Sequence, residues 1–284
     1  MPLTSKELLN LEEKAYELRL LSIDAALKIG NGNTGKALSS IDIFTILYHK
    51  YLNIDFKDSK DKCRDKLVLS KEHGGIYIVP SLLDNVFIHK ELLKEYNHSK
   101  DNLGVNLDFR KVCAEEVSIH SLGYGLSIAL GMALGARIKS KKYKVYCLLS
   151  DKECNEGSVW EAAMAIAYLK TTNLITIINK NQCIIDDSTK EIITLESFAD
   201  KWRNFGFIVE EVDGHSLKEL SEALDFALSE NKKPVVIIAN TINGCGVDFM
   251  EDDYRFTYGI LDEEKVKEAK ESLEKYYEIR IKEV

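Results

Sequence analysis

A doubly wound α/β domain, with a mostly parallel sheet and helices on both faces, is the fold class this 284-residue sequence predicts. Three observations predict it. KVYCLLS (144–150), LITIIN (174–179) and PVVIIAN (234–240) are almost wholly apolar, as strands covered on both faces must be. SVWEAAMAIAYLK joins the first two as a plain helical run, making a βαβ unit. Only three prolines occur, with no repeat and no low-complexity tract, so residues 1–284 read as one compact unit.

The other elements follow in order. Residues 5–29 place apolar side chains at helical spacing and stop at GNGNTG (30–35). SSIDIFTILYHKY (39–51) reads as a second helix, with Ser40 and Asp42 near its start. KLVLS (66–70) is a short apolar strand, and HGGIYIVPSLLDN (73–85) begins another helix. SLGYGLSIALGMALGARIKS (121–140) is a glycine turn and then a helix, with Ala129, Gly131, Ala133 and Gly135 small enough for a neighbour to approach closely. FIVEEVDG (207–214) alternates as an edge strand does, and SLKELSEALDFALSENK (216–232) is an amphipathic helix. Residues 262–283 form a last helix, rich in Glu and Lys and expected to be mostly solvated.

The bulk numbers exclude several classes. A net charge of −8 with no basic tract argues against a nucleic-acid partner. No stretch approaches the roughly 18 apolar residues of a membrane helix. The N-terminal twenty residues lack the apolar centre of a secretory signal. Six scattered cysteines without a CxxC pair read as reduced thiols, which implies a cytoplasmic protein.

The chemistry concentrates at LLSDKECNEGSVWEAAM (148–164), where Asp151, Lys152, Glu153, Asn155 and Glu156 stand at the mouth of a buried strand. Ligands of open parallel sheets sit beyond the carboxyl ends of the strands. Asp151 ends one strand and Asn181 follows the next, so the two converge if those strands are neighbours. A carboxylate and an amide oxygen, with a main-chain carbonyl near Cys183, make a hard oxygen set suited to Mg²⁺ or Ca²⁺. The helix beginning near Ser158 would turn its N-terminus toward a phosphate sharing that ion.

Several segments together resemble transketolases. SDKECNEGSVWEAAMAIAYLKTTNLITIINKNQCIID is similar to their thiamine-diphosphate signature, Gly-Asp-Gly-Glu, an EG..WEA helix and an Asn about thirty residues on. VLSKEHGGIYIVPSLL, EEVSIHSLGYGLSIALGMALG, ADKWRNFGFIVEEVDGHSLKEL and NGCGVDFMED resemble further landmarks, in order, from about residue 10 to 260. The resemblance covers only the diphosphate-binding (PP) domain. It implies the thiamine-diphosphate-binding fold, and a small subunit that meets a separate C-terminal, pyrimidine-domain subunit, two copies of each.

The resemblance also implies roles. Asp151 and Asn181 match the side-chain Mg²⁺ ligands, and Cys183 the position whose main-chain carbonyl completes the set. His73 matches a histidine near the diphosphate. Ser121, Leu122 and Gly123 match the turn that approaches the cofactor, and Lys152 and Glu153 belong to the diphosphate loop. His120 replaces a glycine before that turn and joins His73 as a candidate for proton movements. Ser150 and Lys152 replace both glycines around the metal aspartate. Asn33 stands where a histidine is usual, the histidine expected before Glu115 is missing, and Thr257 stands near the place of another. Retained metal ligands beside lost substrate histidines imply transfer of a two-carbon ketol unit between sugars or sugar phosphates, with an unusual sugar as substrate. Two other readings stand beside it: another thiamine-dependent subunit, of a 2-oxo acid decarboxylase or a deoxyxylulose-phosphate synthase, and a non-catalytic assembly or regulatory subunit. A simple nucleotide-binding domain lacks its GxGxxG turn or P-loop.

Overall fold

The computed structural model describes residues 3–29, 33–54, 61, 63–70, 117, 119, 121–181, 197–257 and 259–284. Five parallel strands form its sheet: β1 (Lys66–Leu69), β2 (Val145–Ser150), β3 (Leu174–Lys180), β4 (Ile208–Asp213) and β5 (Val235–Asn240), in the order β1-β2-β3-β5-β4. β4 is an edge strand and only partly buried, as its alternation predicts. The three near-continuous apolar runs are the three central strands.

The helices are α1 (Ser5–Ile29), α2 (Thr34–Leu38), α3 (Ile41–Ile46), α4 (Gly125–Ile138), α5 (Gly157–Tyr168), α6 (Phe198–Asn204), α7 (Leu217–Ser229) and α8 (Glu263–Lys282). Side chains alternate across the sheet and split the core in two. Tyr146, Leu148, Ile175, Ile177, Val235 and Ile237 pack with α1, α3 and α7. Cys147, Leu149, Leu174, Ile178, Val236 and Ile238 pack with α4, α5 and α6. Helices on both faces of a parallel sheet are the doubly wound arrangement. Among the described residues no helix is long and apolar enough to cross a membrane.

Two expectations are corrected in detail. The helix expected over 39–51 is two pieces, α3 and a π turn at Leu47–Tyr51, and a separate short helix, α2, precedes it. The Ser39 and Ser40 hydroxyls both reach the Lys36 carbonyl, and such bonds compete with a continuous helical ladder. On α4, Ala129 and Ala133 are fully buried, but Gly131 and Gly135 face open space. α8 is mostly exposed, as expected, except along one face. Val266, Ala269 and Leu273 bury one face of it in a third cluster with Ile23, Ala26 and Leu38.

α8 also completes a buried ion cluster. Asp42, fully buried, accepts from Arg19 at 3.2 and 2.5 Å and lies 3.2 Å from Arg280 Nη2. Arg280 Nη2 also donates to Glu12 at 2.8 Å. His215 Nδ1 sits 2.8 Å from Asp42, and the Ile242 N–H donates to Nε2 at 2.9 Å. Burial disfavours a charged imidazole and Asp42 favours one, with a net upward pull. The fixed Ile242 donor opposes a second proton, so the ring proton sits on Nδ1, facing Asp42. Burial penalises the Asp42 carboxylate, yet Arg19 and Arg280 hold its pKa far below the usual range.

Candidate functional site

At the carboxyl end of the sheet, two strand ends and a glycine turn meet on one buried carboxylate. β2 gives way to a 3₁₀ turn, Lys152–Asn155, in which Glu153 is fully buried. Glu153 Oε2 accepts from the Ser150 N–H at 2.8 Å and the Ser150 hydroxyl at 3.1 Å. Its Oε1 accepts from the Ser70 hydroxyl, at the end of β1, and from the Gly123 N–H at 3.3 Å. Burial pushes the Glu153 carboxyl up, and these four donors pull it back only in part.

The turn at Leu122 and Gly123 is clamped from the other side as well. Gly123 has φ +79°, and a Cβ there would meet Ser158 Oγ at 2.7 Å and Glu156 Cβ at 2.8 Å. The Ser158 hydroxyl, in the first turn of α5, donates to the Gly123 carbonyl at 3.2 Å. A Cβ on Gly125 would lie 2.3 Å from Ser70, so only glycine lets α4 start this close to β1. Ser121 is exposed and Leu122 half-buried beside it.

The sheet brings Asp151 and Asn181 to neighbouring strand ends. Ser150 pairs with Asn179, so Asp151 is level with Lys180 and Asn181 is one residue beyond. The Asp151 N–H donates to the Asn179 carbonyl at 3.3 Å. Asp151 is buried, and its Oδ1 accepts the Lys152 N–H at 3.0 Å, turning that donor toward the carboxylate. Asn181 lines a cavity of about 630 Å³ over the ends of β3, β4 and β5, with Lys180, Thr241 and Cys245. Among the described residues no trio of His, Cys, Asp or Glu could hold a metal. A cation here would take the carboxylate of Asp151, the amide oxygen of Asn181 and main-chain oxygen, donors that fit Mg²⁺. His73, His120 and Cys183 lie outside the described residues.

The departures from the transketolase pattern are accommodated. Ser150 and Lys152 stand in place of glycines, and neither is among the residues with positive φ. Asn33 does take φ +74°, a conformation asparagine tolerates better than most residues. Asn33 Oδ1, Thr34 Oγ1 and Asn243 Oδ1 are buried oxygens with no hydrogen-bond partner among the described residues. Asn243 abuts the same segment, since a Cβ on Gly35 would lie 2.8 Å from its Nδ2. Thr257 falls in a short turn, Tyr254–Thr257, and its side chain is outside the description.

Sequence reasoning did not single out Ser70 or Asn243, and it named Ser158 only as the start of a helix. Ser70 and Ser158 had a signal, a hydroxyl at a strand end and one in the first turn of a helix. Asn243 had none, because its neighbour Gly35 is more than two hundred residues away in the chain.

Residues 11–280 match the family model described as transketolase, thiamine diphosphate binding domain. The chain belongs to the transketolase family. It is 35% identical over 271 residues to the 6-deoxy-6-sulfo-D-fructose transketolase subunit of Clostridium sp. (strain MSTE9), covering 95% of this chain and 98% of that protein. It is 35% identical over 265 residues to an apulose-4-phosphate transketolase subunit from Actinobacillus succinogenes, covering 93% and 95%. The crystal structure of transketolase from Campylobacter jejuni superposes with a TM-score of 0.87 at 27% identity, covering 95% of this chain. The chain spans only 45% of that transketolase's length.

Proposed function

We propose that this chain is the diphosphate-binding subunit of a cytoplasmic, thiamine-diphosphate- and Mg²⁺-dependent enzyme that transfers a two-carbon ketol unit between sugars. The observation that carries this reading is the placement of Asp151 and Asn181 at adjacent parallel strand ends, beside the clamped Gly123 turn. Thiamine diphosphate, when bound, supplies the carbon nucleophile that takes up the ketol unit. The protein holds and orients. Asp151, Asn181 and the Cys183 carbonyl hold the Mg²⁺, and the turn at 121–123, the Lys152 loop and the N-terminus of α5 face the diphosphate. His73 and His120 serve the phosphates and proton movements.

One feature supports the finer point of substrate. The two relatives are named for sulfofructose and apulose 4-phosphate, in keeping with an unusual sugar here. The missing half of the site comes from a separate pyrimidine-domain subunit, in an assembly of two plus two. Ile138 on α4, Met164 and Tyr168 on the adjoining α5 and Leu169 just after it expose an apolar face suited to it.

The test is to co-express the chain with its pyrimidine-domain partner and titrate thiamine diphosphate and Mg²⁺ by calorimetry. We expect Mg²⁺-dependent binding that Asp151→Ala weakens by roughly a hundredfold or more, as loss of a charged ligand does. Absence of binding in the assembled wild type would replace this reading with a non-catalytic one. Fast transfer between ordinary pentose phosphates would overturn the unusual sugar.

A further inference from the structure

We propose that Glu153 is a positioning residue that touches no ligand and sets the height of the Gly123 turn against the ends of β1 and β2. The inference rests on the cofactor reading above, in which that turn would form part of the diphosphate cradle.

Glu153 is fully buried, so it faces the protein and not the cofactor. Its two oxygens receive four donors from three separate segments: Ser70 after β1, Gly123 in the turn, and the N–H and hydroxyl of Ser150 at the end of β2. The donors differ in kind. The Ser70 and Ser150 hydroxyls rotate and also accept, but the Gly123 and Ser150 N–H groups only donate. Two fixed donors on opposite oxygens call for an acceptor at both positions, which a carboxylate supplies and an amide does not.

The turn has no slack on its far side. Ser158 and Glu156 fill the space where a Gly123 side chain would go, and Ser158 holds the Gly123 carbonyl. Glu153 and Ser158 therefore fix the Gly123 peptide from both sides, the first through its N–H and the second through its C=O.

Glu153→Gln keeps the volume and one acceptor. The amide oxygen would stay on the closer Ser150 N–H, and the NH₂ would then oppose the Gly123 N–H. The first readout needs neither cofactor nor partner: amide hydrogen exchange over 121–125 in the isolated chain. We expect exchange there to speed up about tenfold, with β2 and β3 unchanged. The second readout is calorimetry and kinetics on the assembled enzyme. Thiamine diphosphate affinity should fall roughly tenfold or more, the usual size for a residue supporting a ligand shell, while kcat at saturating cofactor stays within about twofold.

A plain core brace would lower stability and leave cofactor affinity alone. Unchanged exchange at 121–125, or unchanged affinity in a complex whose wild type binds, overturns the proposal. If the wild-type complex binds nothing while exchange responds as expected, the cofactor reading falls and the positioning of the turn stands without its purpose. Should Glu153→Gln not fold, Ser70→Ala removes one hydroxyl donor only. It should shift both readouts in the same direction by a smaller factor, and no shift in either would overturn the proposal.

Discussion

Two carboxylates in this molecule are equally hidden from water and answer burial in opposite ways. Glu153 is surrounded by hydroxyls and backbone N–H groups, and its pKa is raised. Asp42 is surrounded by Arg19, Arg280 and His215, and its pKa is strongly lowered. Dipolar donors orient a charge without cancelling it, whereas guanidinium groups cancel it outright. The first arrangement holds a turn at a set height beside the candidate site. The second ties α1, α3 and α8 together on the other face of the sheet. Burial alone therefore does not tell a positioning carboxylate from a structural one. The chemistry of its donors does.

The comparison breaks first at Asp42. Asp42→Ala leaves two buried guanidinium groups without their shared counter-ion, and urea denaturation should show a loss of about 3–5 kcal/mol. A loss under about 1 kcal/mol would mean that water reaches the cluster and that the contrast is false.

Glycine substitutions sharpen the contrast at the other pole. Gly123→Ala puts a side chain at positive φ against Ser158 and Glu156, and should cost roughly 1–3 kcal/mol while weakening cofactor binding. Gly131→Ala, mid-helix with open space around it, should stabilise by about 0.5–1 kcal/mol. Equal effects in thermal melts would show that the turn is not clamped.

The smallest effect is in acid. The folded pKa of Asp42 lies below its unfolded value of about 3.9, so its contribution is present above that pH and is lost progressively as pH falls below it. Stability measured from pH 6 to pH 2 should fall less steeply in Asp42→Asn than in the wild type. Identical slopes would remove Asp42 from the acid response.

The central sheet was legible because β2, β3 and β5 bury both faces and leave apolar runs that few other structures produce. β4 was legible for the opposite reason, its alternation. α6 went unread: seven residues carry barely two turns, and its anchor, Trp202, is a single buried ring. α2 went unread as well, because its first residues, Thr34 and Gly35, belong to the glycine-asparagine cluster. At the site, the βαβ spacing was enough to bring Asp151 and Asn181 to adjacent ends. The inward turn of Glu153 was not, because a string of acidic letters does not reveal which of them meets backbone donors. The Arg19–Asp42–Arg280 cluster was equally hidden, since nothing local in EIRIKEV distinguishes a buried arginine from a solvated one.

Arg280 and Glu12 are 268 positions apart, yet they share one buried pair. Contacts of such long range close late, after the intervening chain has found its place. Until α8 docks, Asp42 has Arg19 beside it but lacks its second guanidinium, and the apolar face around Ile23 and Leu38 is uncovered. Docking of α8 is thus what completes the Asp42 cluster and covers that apolar face. A chain with α8 undocked would show an apolar surface of the kind by which quality-control proteases and chaperones recognise unfinished proteins.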